Sequence, residues 1–540
     1  MLEHEPNNIQ DAILSGKPLL KSNYSNNGQS ALSSRITITD EDVFLYDVNA
    51  DITEHLDDVY QIMNYHERYL APKYEIKHDY YVGRHHKIIG RPEKPLSKPD
   101  NRLIFNLPKK LVSTFNGYFS GEPVSIKHKS NDGNTDDTAI DDQIQTWLNN
   151  NNYEDVFTEW SKQADIYGRS YIYLYETPAT DSDKTELKMT VCSPRDTIVV
   201  YDDSVENNPL FAIRYSTGAS RKYGDLITKD AIYSFDSQGD GQPLTIMNTD
   251  PDNPNQVVKS DILNFPMLPV IELLEDDDRS GLFDDSINLI DSIDNMMSSK
   301  GNDNDAFSES YLVITGNKLD EKQYEALQNS HLINLYPKKN NPLGGNDNQE
   351  KPTAFFLSPD PHDEAKENSL NRAIDMVYQA SQVVNLNDSS FGMSATAISG
   401  VALLQRYQPM QARAKVKSQK MDKALRQLFA ILFKQWDGIN ADPSNLAFDH
   451  KQSIPHNVLE EAQTISTLNG QVSDVTKLGY LSRIDDPAAE VERLKEQNEE
   501  DAKEAKNQVD EYMTDQQKKA GVTHGISDDP AGTPKDSTIS

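Results

Sequence analysis

Two segments of helical periodicity enclose a short β-rich insert, and this order most limits the folds open to the chain. Apolar residues recur at spacings of three and four in the first segment, at Phe283, Ile287, Ile290, Ile293 and Met297. The second segment has a similar stripe, at Leu370, Ile374, Val377, Ser381 and Val384. The stretches YLVITG and AFFLSP between them are typical of strands. We therefore predict two amphipathic helices, each about 20 residues or ~30 Å long, with a small β module between them.

The chain before these helices mixes helical and strand periodicity, which predicts an α+β body that ends near residue 275. Strands are expected in SYIYLYE, DTIVVYDD, PLFAIRYS and AIYSF, with helices in LPKKLVSTFNGYF and DDQIQTWLNN. Thr39 and Asp40 look like a helix-capping signal, and the pattern after them places Val59, Ile62 and Met63 on one helical face. Residues 1–39, rich in Asn and Ser, are expected to form a flexible arm.

A longer helix is predicted after the second stripe, from about Ile398 to Trp436, with Pro409 inside it. Because a proline removes one backbone hydrogen bond, we expect a kink near Tyr407. The C-terminal region has helical periodicity with three interruptions, at Gly470, Gly479 and Pro487. Residues 513–540 are expected to be a disordered tail.

The charge of the chain is strongly acidic, with 53 basic and 86 acidic residues and a formal net charge of −33. This argues against an outer surface that grips nucleic acid by neutralising phosphates, but it does not exclude a protein that handles DNA without adhering to it. Solubility and self-repulsion between copies are the alternative explanation of the acidity. A single cysteine, Cys192, excludes a disulfide framework and is typical of a reducing compartment. The start of the chain lacks the pattern of a secretory signal. The sequence contains no run of about 18 apolar residues, so no membrane span is predicted.

Motifs for phosphate binding or nucleophilic catalysis are incomplete. SGKP at Ser15–Pro18 has the Gly-Lys pair of a phosphate-binding loop, but a proline follows the pair and no strand is predicted before it. The loop NLNDSSFGMSATA is rich in Ser and Gly, yet Gly392, Met393 and Ser394 do not complete a G-x-S-x-G elbow. A catalytic Ser394 would also need a base and an oxyanion hole, which nothing nearby supplies. We therefore predict no catalytic residue.

Metal-binding patterns are also incomplete. His85 and His86 lack further ligands at suitable spacing, and we expect them in an exposed basic loop. NDNDAFSE, which starts at Asn302, lacks the central glycine and the terminal glutamate of a calcium loop. No metal and no cofactor are therefore expected.

One stretch reverses the acidic balance, because eight basic residues and a single acid, Asp422, lie between Val401 and Trp436. We expect these side chains to pair with acidic neighbours of the same or an adjacent subunit, with direct DNA contact as the alternative. The basic residues are Arg406, Arg413, Lys415, Lys417, Lys420, Lys423, Arg426 and Lys434.

The order of these parts resembles the portal proteins of tailed bacteriophages, in particular the portal family typical of long-tailed phages of Gram-positive bacteria. The resemblance covers roughly residues 45–440 and rests on local matches in a fixed order. These matches are YYVGRHHKI at Tyr80, NGYFSGEPVSI at Asn116, ADIYGRSYIYLYE at Ala164, SPRDTIVVYDD at Ser193, DAFSESYLVITG at Asp305 and SGVALLQRY at Ser399. The polar N-terminal arm and the acidic tail depart from the family pattern.

The resemblance implies an α+β portal fold built from named parts. They are a wing at 40–275, a first stem helix at 276–309, a clip at 310–358, a second stem helix at 359–384, a tunnel loop at 385–398, a long kinked wing helix at 399–450 and a helical crown at 451–512.

The resemblance also implies a function and a set of partners. The chain would form a homo-oligomeric, dodecameric ring at one capsid vertex, through which double-stranded DNA passes during genome packaging and ejection. The terminase large subunit and later the head-completion and connector proteins would bind it, and scaffold and major capsid protein would surround it. It would belong to the virion after assembly in the host cytoplasm, with no membrane partner and no enzymatic activity.

The tunnel loop would project towards DNA. Its DNA-facing residues would be Asn385, Asn387, Asp388, Ser389, Ser390, Phe391, Gly392, Met393 and Ser394. In a ring, each Asp388 becomes part of a circle of carboxylates that repels phosphates over about 8 Å at physiological salt. Short polar side chains can touch phosphates without the affinity of arginines.

Two alternatives to the portal interpretation remain open from the sequence. An acidic cytoplasmic hydrolase or nucleic-acid-processing enzyme could use the Ser/Gly loop, although the base and acid that it needs are not evident. A coat or scaffold protein is disfavoured because it does not account for the order of helix, β insert and helix.

Overall fold

We describe the protein from a computed structural model. The described residues are 32–521, except for 96–97, 131–136, 179–184, 219–220, 238–243, 247–248, 251–252, 258–260, 263–264, 309–310, 316–352, 358–362, 387–399, 437–440, 454–457, 482–483 and 485–486. The chain divides into two compact units, Met1–Ser453 and Ile454–Ser540.

Two β-sheets form the centre of the first unit. The strands of the larger sheet are β1 (Ile36–Ile38), β2 (Phe44–Tyr46), β6 (Thr197–Asp202), β7 (Pro209–Thr217), β8 (Lys222–Ile227), β9 (Ala231–Asp236), β10 (Thr245–Ile246) and β13 (Asp261–Ile262). They follow the order β1-β2-β6-β7-β8-β9-β10, and β13 also pairs with β9. The smaller sheet, in the order β14-β4-β5, contains β4 (Arg169–Pro178), β5 (Thr185–Cys192) and β14 (Val270–Leu274). A separate ribbon pairs β11 (Thr249–Asp250) with β12 (Asn253–Val257).

A hydrophobic core joins side chains from both sheets. Its members include Val43 and Val199 from the region of the larger sheet, and Tyr171, Cys192 and Val270 from the smaller one. The strands predicted in this region are confirmed, because each has the alternating or continuous burial of a sheet that is packed on its core face. The α+β class of the protein follows from these sheets together with the helices around them.

Helices surround the sheets and extend from them. In the first unit they are α1 (Leu56–Tyr65), α2 (Ala71–Tyr81), α3 (His86–Ile89), α4 (Leu107–Phe119), α5 (Asp137–Asn150), α6 (Tyr153–Tyr167), α7 (Ile287–Ser308), α8 (Asp363–Ala380) and α9 (Gly400–Gln435). A π-helical turn, His66–Leu70, joins α1 to α2. The predicted face of α1 is confirmed, because Val59, Ile62 and Met63 are fully buried.

The predicted helix start at Thr39 and Asp40 is wrong. These residues form the turn of the β1–β2 hairpin, where Asp42 has a positive φ of 58°. Residues on both sides alternate with period two, and Phe44 and Tyr46 are buried, so strand periodicity decides the local structure. Strand β1 therefore lies inside the stretch assigned to a flexible arm, whose residues 1–31 are outside the described part.

Helices α7 and α8 form an antiparallel pair, as the predicted amphipathic segments require. At one end the buried hydroxyls of Ser286 and Ser381 lie 3.4 Å apart. At the other end Lys300 forms an ion pair with Glu367 at 2.6 Å. Beyond that end the strands β15 (Tyr311–Thr315) and β16 (Thr353–Leu357) pair in antiparallel register. The rest of the predicted clip, residues 316–352, lies outside the described residues.

The long helix α9 confirms the helix that was predicted up to Trp436, and Pro409 lies inside it. Residues up to 450 were assigned to the same helical part, but this is wrong for the last of them. A strand, β17 (Leu446–Asp449), follows and pairs with β3 (Ser125–His128) in the part of the chain that was predicted to be the wing.

The second unit is helical, with α10 (Val458–Leu468), α11 (Asp474–Leu478) and α12 (Pro487–Gly521). Predicted breaks coincide with the helix ends, since Gly479 caps α11 and Pro487 starts α12. The disordered tail predicted for residues 513–540 is wrong for residues 513–521, because α12 continues to Gly521, and residues 522–540 lie outside the described part. Among the described helices of the whole chain, none combines the length and apolarity that crossing a bilayer would require.

Candidate functional site

The predicted DNA-facing loop lies mostly outside the described residues. Of its predicted members only Asn385 is described, whereas Asn387–Ser394 fall in the stretch 387–399. The two elements that hold the loop are described, and they are the end of α8 and the helix α9. The site is therefore built from these two anchors.

The end of α8 is a Schellman motif that fixes where the helix stops. Gln382 adopts the left-handed conformation with φ of 55° and donates its N–H to the carbonyl of Gln379 at 3.1 Å. The next N–H, from Val383, reaches back to the carbonyl of Tyr378 at 3.1 Å. Val383 and Tyr378 are both 5% exposed and occupy the two positions at which this motif commonly has apolar side chains. The chain thus leaves α8 from a rigid position.

The seat of α9 is a buried cluster of charged residues. Lys417 is fully buried, forms ion pairs with Asp165 and, at 3.0 Å, with Glu275, and donates to the carbonyl of Ser161 at 3.1 Å. Arg413, one turn earlier, donates to Glu275 at 3.0 Å. Two aromatic rings also face the ammonium group of Lys417, at 5.3 and 5.1 Å, and belong to Phe115 and Phe119.

The pKa values of the two carboxyl groups in this cluster shift in opposite directions. Burial raises the pKa of Asp165 well above the usual carboxyl value, Lys417 opposes the rise, and the nearby Glu275 adds to it. Burial also acts to raise the pKa of Glu275, but Lys417 and Arg413 outweigh it and hold that pKa below its usual value. Asp165 Oδ2 is buried without a hydrogen-bond donor. A proton held between the two carboxyl groups would satisfy this atom.

The prediction that the basic run pairs with acidic neighbours is confirmed for three of its residues. Arg413 and Lys417 pair with acids of the same chain, and Lys420 pairs with Asp277. Arg426 instead lies over the ring of Phe448 at 5.0 Å. The three ion pairs attach α9 to α6 and to the residues that follow β14. They hold the helix that begins directly after the predicted loop.

The other side of the α7–α8 pair is fixed by a ladder of side chains along α7. Three alternate N–H groups of the extended segment 101–105 donate to polar side chains one turn apart on the helix. Two strand residues advance about 6.6 Å and four helix residues about 6.0 Å, so the spacings match. The bonds run from Asn101 to Asn302 (2.7 Å), from Leu103 to Ser298 (2.9 Å) and from Phe105 to Asp294 (2.8 Å).

His85 belongs to this ladder, and the prediction of an exposed basic loop is wrong for it. Its ring is fully buried, contacts Asp294 through Nδ1 and stacks on Tyr80 at a centroid distance of 4.6 Å. Tyr80 in turn donates to Asp291 at 2.7 Å. Burial and that carboxylate raise the pKa of the Tyr80 hydroxyl. His86 is half-buried and lies 2.9 Å from Asp79.

Groups of three or more side chains able to hold a metal ion do not occur in the described part of the chain. Asn302, where the incomplete calcium motif starts, is instead part of α7 and bonds to Asn101.

Comparison with protein families identifies the family to which this chain belongs. The family model described as phage portal protein, SPP1 Gp6-like, matches residues 60–504. The chain belongs to this phage portal family. The comparison with curated proteins gave no match.

Family membership shows what kind of protein contains these two anchors. The protein is a bacteriophage portal protein, a structural component of the virion with a role in DNA passage. Portal proteins are structural and not enzymatic, so membership favours the structural interpretation over a hydrolase that uses the Ser/Gly loop. The matched region includes both anchors of the predicted tunnel loop.

Several buried polar residues on α7 and α9 were not predicted from the sequence. Asp291, Asp294 and Ser298 are buried on α7, and none of them was a predicted site residue. Lys417 was one of eight basic residues, and its complete burial had no local signal. A faint signal existed for α7, because Asp291, Asp294 and Ser298 share one helical face.

Proposed function

We propose that this portal protein forms a closed dodecameric ring at one capsid vertex. The ring provides a channel for double-stranded DNA during packaging and ejection, without a catalytic residue or a cofactor. The observation that carries this proposal is the family match over residues 60–504. The α7–α8 pair, with the β15–β16 ribbon at one end and α9 seated in the wing region at the other, supports it as a stem between a clip and a wing.

We assign the tunnel loop to residues 385–398, between the end of α8 and the start of α9. The Schellman motif at Gln382 and the buried Lys417 cluster hold its two ends rigidly, so movement would be confined to the loop and the first turns of α9. Asp388 would contribute a circle of carboxylates in the ring, and short polar side chains beside it would touch phosphates weakly. DNA would then slide without adhering. Pro409 would allow the start of α9 to bend with the loop.

The clip is proposed as the docking platform for other proteins. The β15–β16 ribbon follows the end of the α7–α8 pair that carries the Lys300–Glu367 ion pair, away from the end where Ser286 and Ser381 meet, so a partner bound there would not need to disturb the wing. The terminase large subunit would bind there during packaging, and head-completion or connector proteins would replace it. Scaffold and major capsid protein would contact the ring from the procapsid, which assembles in the host cytoplasm.

A deletion within the loop tests the proposed function. Removing Asp388–Met393 should leave ring assembly intact, because neither anchor is changed, and should impair DNA packaging. The control is a deletion of residues 527–532 in the C-terminal tail, which should leave both unchanged. DNA packaging at the wild-type level after the loop deletion would refute the tunnel-loop assignment.

A further inference from the structure

A basic surface on a strongly acidic chain is the starting observation. Between Val82 and Lys110, eight residues are basic and only two are acidic. We call this stretch the basic flank. Its exposed basic side chains are Arg84, Lys94, Lys98 and Lys109.

The basic flank also exposes apolar side chains that a phosphate-binding surface does not need. Ile89 is 50% exposed, Leu103 42%, Phe105 40% and Val82 39%. Exposed apolar groups among charges are typical of a surface that another protein covers, whereas DNA backbone contacts use charge and hydrogen bonds alone.

A surface of opposite charge lies at one end of the larger sheet, where two chain segments meet. We define the acidic tip as residues 47–57, which follow β2, together with residues 202–208, which lead from β6 to β7. The N–H of Val48 donates to Asp203 at 3.2 Å and joins the two segments. They contain seven acidic residues and neither lysine nor arginine. The exposed acids are Asp51, Glu54, Asp57, Asp203 and Glu206.

The acidic tip exposes apolar side chains as the basic flank does. Val205 is fully exposed, and Val48 in the neighbouring segment is 51% exposed. The two surfaces therefore match in both respects, since each combines one sign of charge with uncovered apolar groups.

The two surfaces lie at opposite ends of one helical rod. The acidic tip includes the first residues of α1, and the basic flank starts directly after α2. The residues at both junctions with the π-helical turn keep right-handed helical φ and ψ, so the chain does not reverse between α1 and α2; they are Tyr65, His66, Leu70 and Ala71. The rod from residue 56 to residue 81 is thus about 39 Å long.

Fixed contacts hold each surface at its own end of the rod. The basic flank is attached to α7, through Lys87 and Asp291 at 3.1 Å and through Asn101 and Asn302 at 2.7 Å. The acidic tip is part of the larger sheet, where the N–H of Asp203 donates to the carbonyl of Tyr46 at 3.1 Å. The tip and the flank of one copy are therefore kept apart, and each needs its complement from another copy.

This arrangement suits a head-to-tail contact between copies. A ring with cyclic symmetry joins one surface of each copy to a different surface of the next copy. We propose that the basic flank of one copy binds the acidic tip of the adjacent copy. The inference rests on the ring proposed above and names the residues that would close it.

Two complementary charge reversals test the contact. The tip variant Asp51→Lys/Glu54→Lys/Asp57→Lys/Glu206→Lys leaves three acids against four lysines and so makes the tip basic. The flank variant Arg84→Glu/Lys94→Glu/Lys98→Glu/Lys109→Glu leaves four basic residues against six acids and so makes the flank acidic. In each variant alone, like charges would face each other, and the association constant of the contact should fall by about tenfold or more. When the two variants are mixed, a reversed tip meets a reversed flank and an unchanged tip meets an unchanged flank, so alternating rings should form.

Ring formation would be measured by mass photometry and negative-stain microscopy of full-length protein. The control is Glu492→Lys/Glu496→Lys/Glu499→Lys/Glu500→Lys on α12, which makes the charge change of the tip variant at exposed positions outside both surfaces. We expect rings for the wild type, the control and the mixture, and few rings for either variant alone.

Three outcomes would overturn the proposed contact. They are wild-type ring yield in both variants alone, a mixture that fails to assemble, or normal rings with loss only of binding to duplex DNA in the flank variant. The last outcome would assign the basic flank to nucleic acid. A wild-type protein that forms no rings would instead contradict the proposed portal ring itself, so the two failures are distinguishable.

Discussion

Replacing Lys417 by methionine tests the seat of α9 directly. The change keeps the volume of the side chain but removes the charge that faces Asp165 and Glu275. Breaking a buried ion pair by removing one partner typically costs about 3–5 kcal/mol. Glu275 keeps Arg413 at 3.0 Å, and Asp165 favours its protonated form, so we expect a loss near the lower end of that range, about 3 kcal/mol.

Lys420→Met provides a matched control on the same helix. Lys420 pairs with Asp277, whose side chain is 84% exposed, and exposed pairs contribute about 0–1 kcal/mol. Urea unfolding followed by tryptophan fluorescence would report on the first unit, since all three tryptophans, Trp147, Trp160 and Trp436, lie there. Protein concentration must be held constant, because subunit association changes apparent stability. Equal losses in the two variants would refute the buried-cluster account.

The same cluster should respond to pH through Asp165. Its pKa is raised in the folded protein, so the stability that its proton contributes is present at low pH and is lost as pH rises through the native value. Asp165→Asn should remove this loss, because the amide cannot ionise. Unfolding free energies measured from the ordinary carboxyl range upwards should fall for the wild type and stay flatter for the variant. Parallel pH profiles would contradict the assignment.

Further predictions concern other positions. Burial lowers the pKa of His66 to about 4, so roughly 3 kcal/mol of stability should be lost as pH falls from about 6.5 to 4. The unfolding free energy of wild type and His66→Gln would be measured over this range, and equal slopes against pH would contradict the prediction. Gln382→Gly should stabilise the protein by about 0.5–1 kcal/mol, because glycine adopts positive φ without strain, whereas Gln379→Gly inside α8 should destabilise it. Ser298→Ala should cost about 1–2 kcal/mol in thermal unfolding by leaving the N–H of Leu103 unpaired, and the exposed Ser299→Ala should cost almost nothing. Pro409→Ala should straighten α9 and impair packaging. An unchanged helix angle and normal packaging would refute the proposed bending of α9 at Pro409.

Local periodicity was enough to predict much of the fold. The stripes that contain Ile290, Ile293, Leu370 and Val377 are buried as their spacing requires, because the apolar pattern of a helix is a local property. The β1–β2 hairpin was missed since Thr39 and Asp40 serve equally well in a turn and at a helix start.

Long-range polar contacts could not be predicted in the same way. His85 and Asp294 are 209 residues apart in sequence, and Lys417 and Asp165 are 252 apart. A charged residue is normally expected at the surface, and only the folded chain reveals the partner that permits its burial. The sequence therefore predicted the helices that flank the proposed tunnel loop but not the contacts that hold them.

Electron microscopy of the purified full-length protein is the most direct test of the central claim. We expect class averages of closed rings with a central channel, maintained over a range of salt concentrations. Particles that remain monomeric or dimeric under all of these conditions would contradict the proposal that this portal protein conducts DNA through a ring.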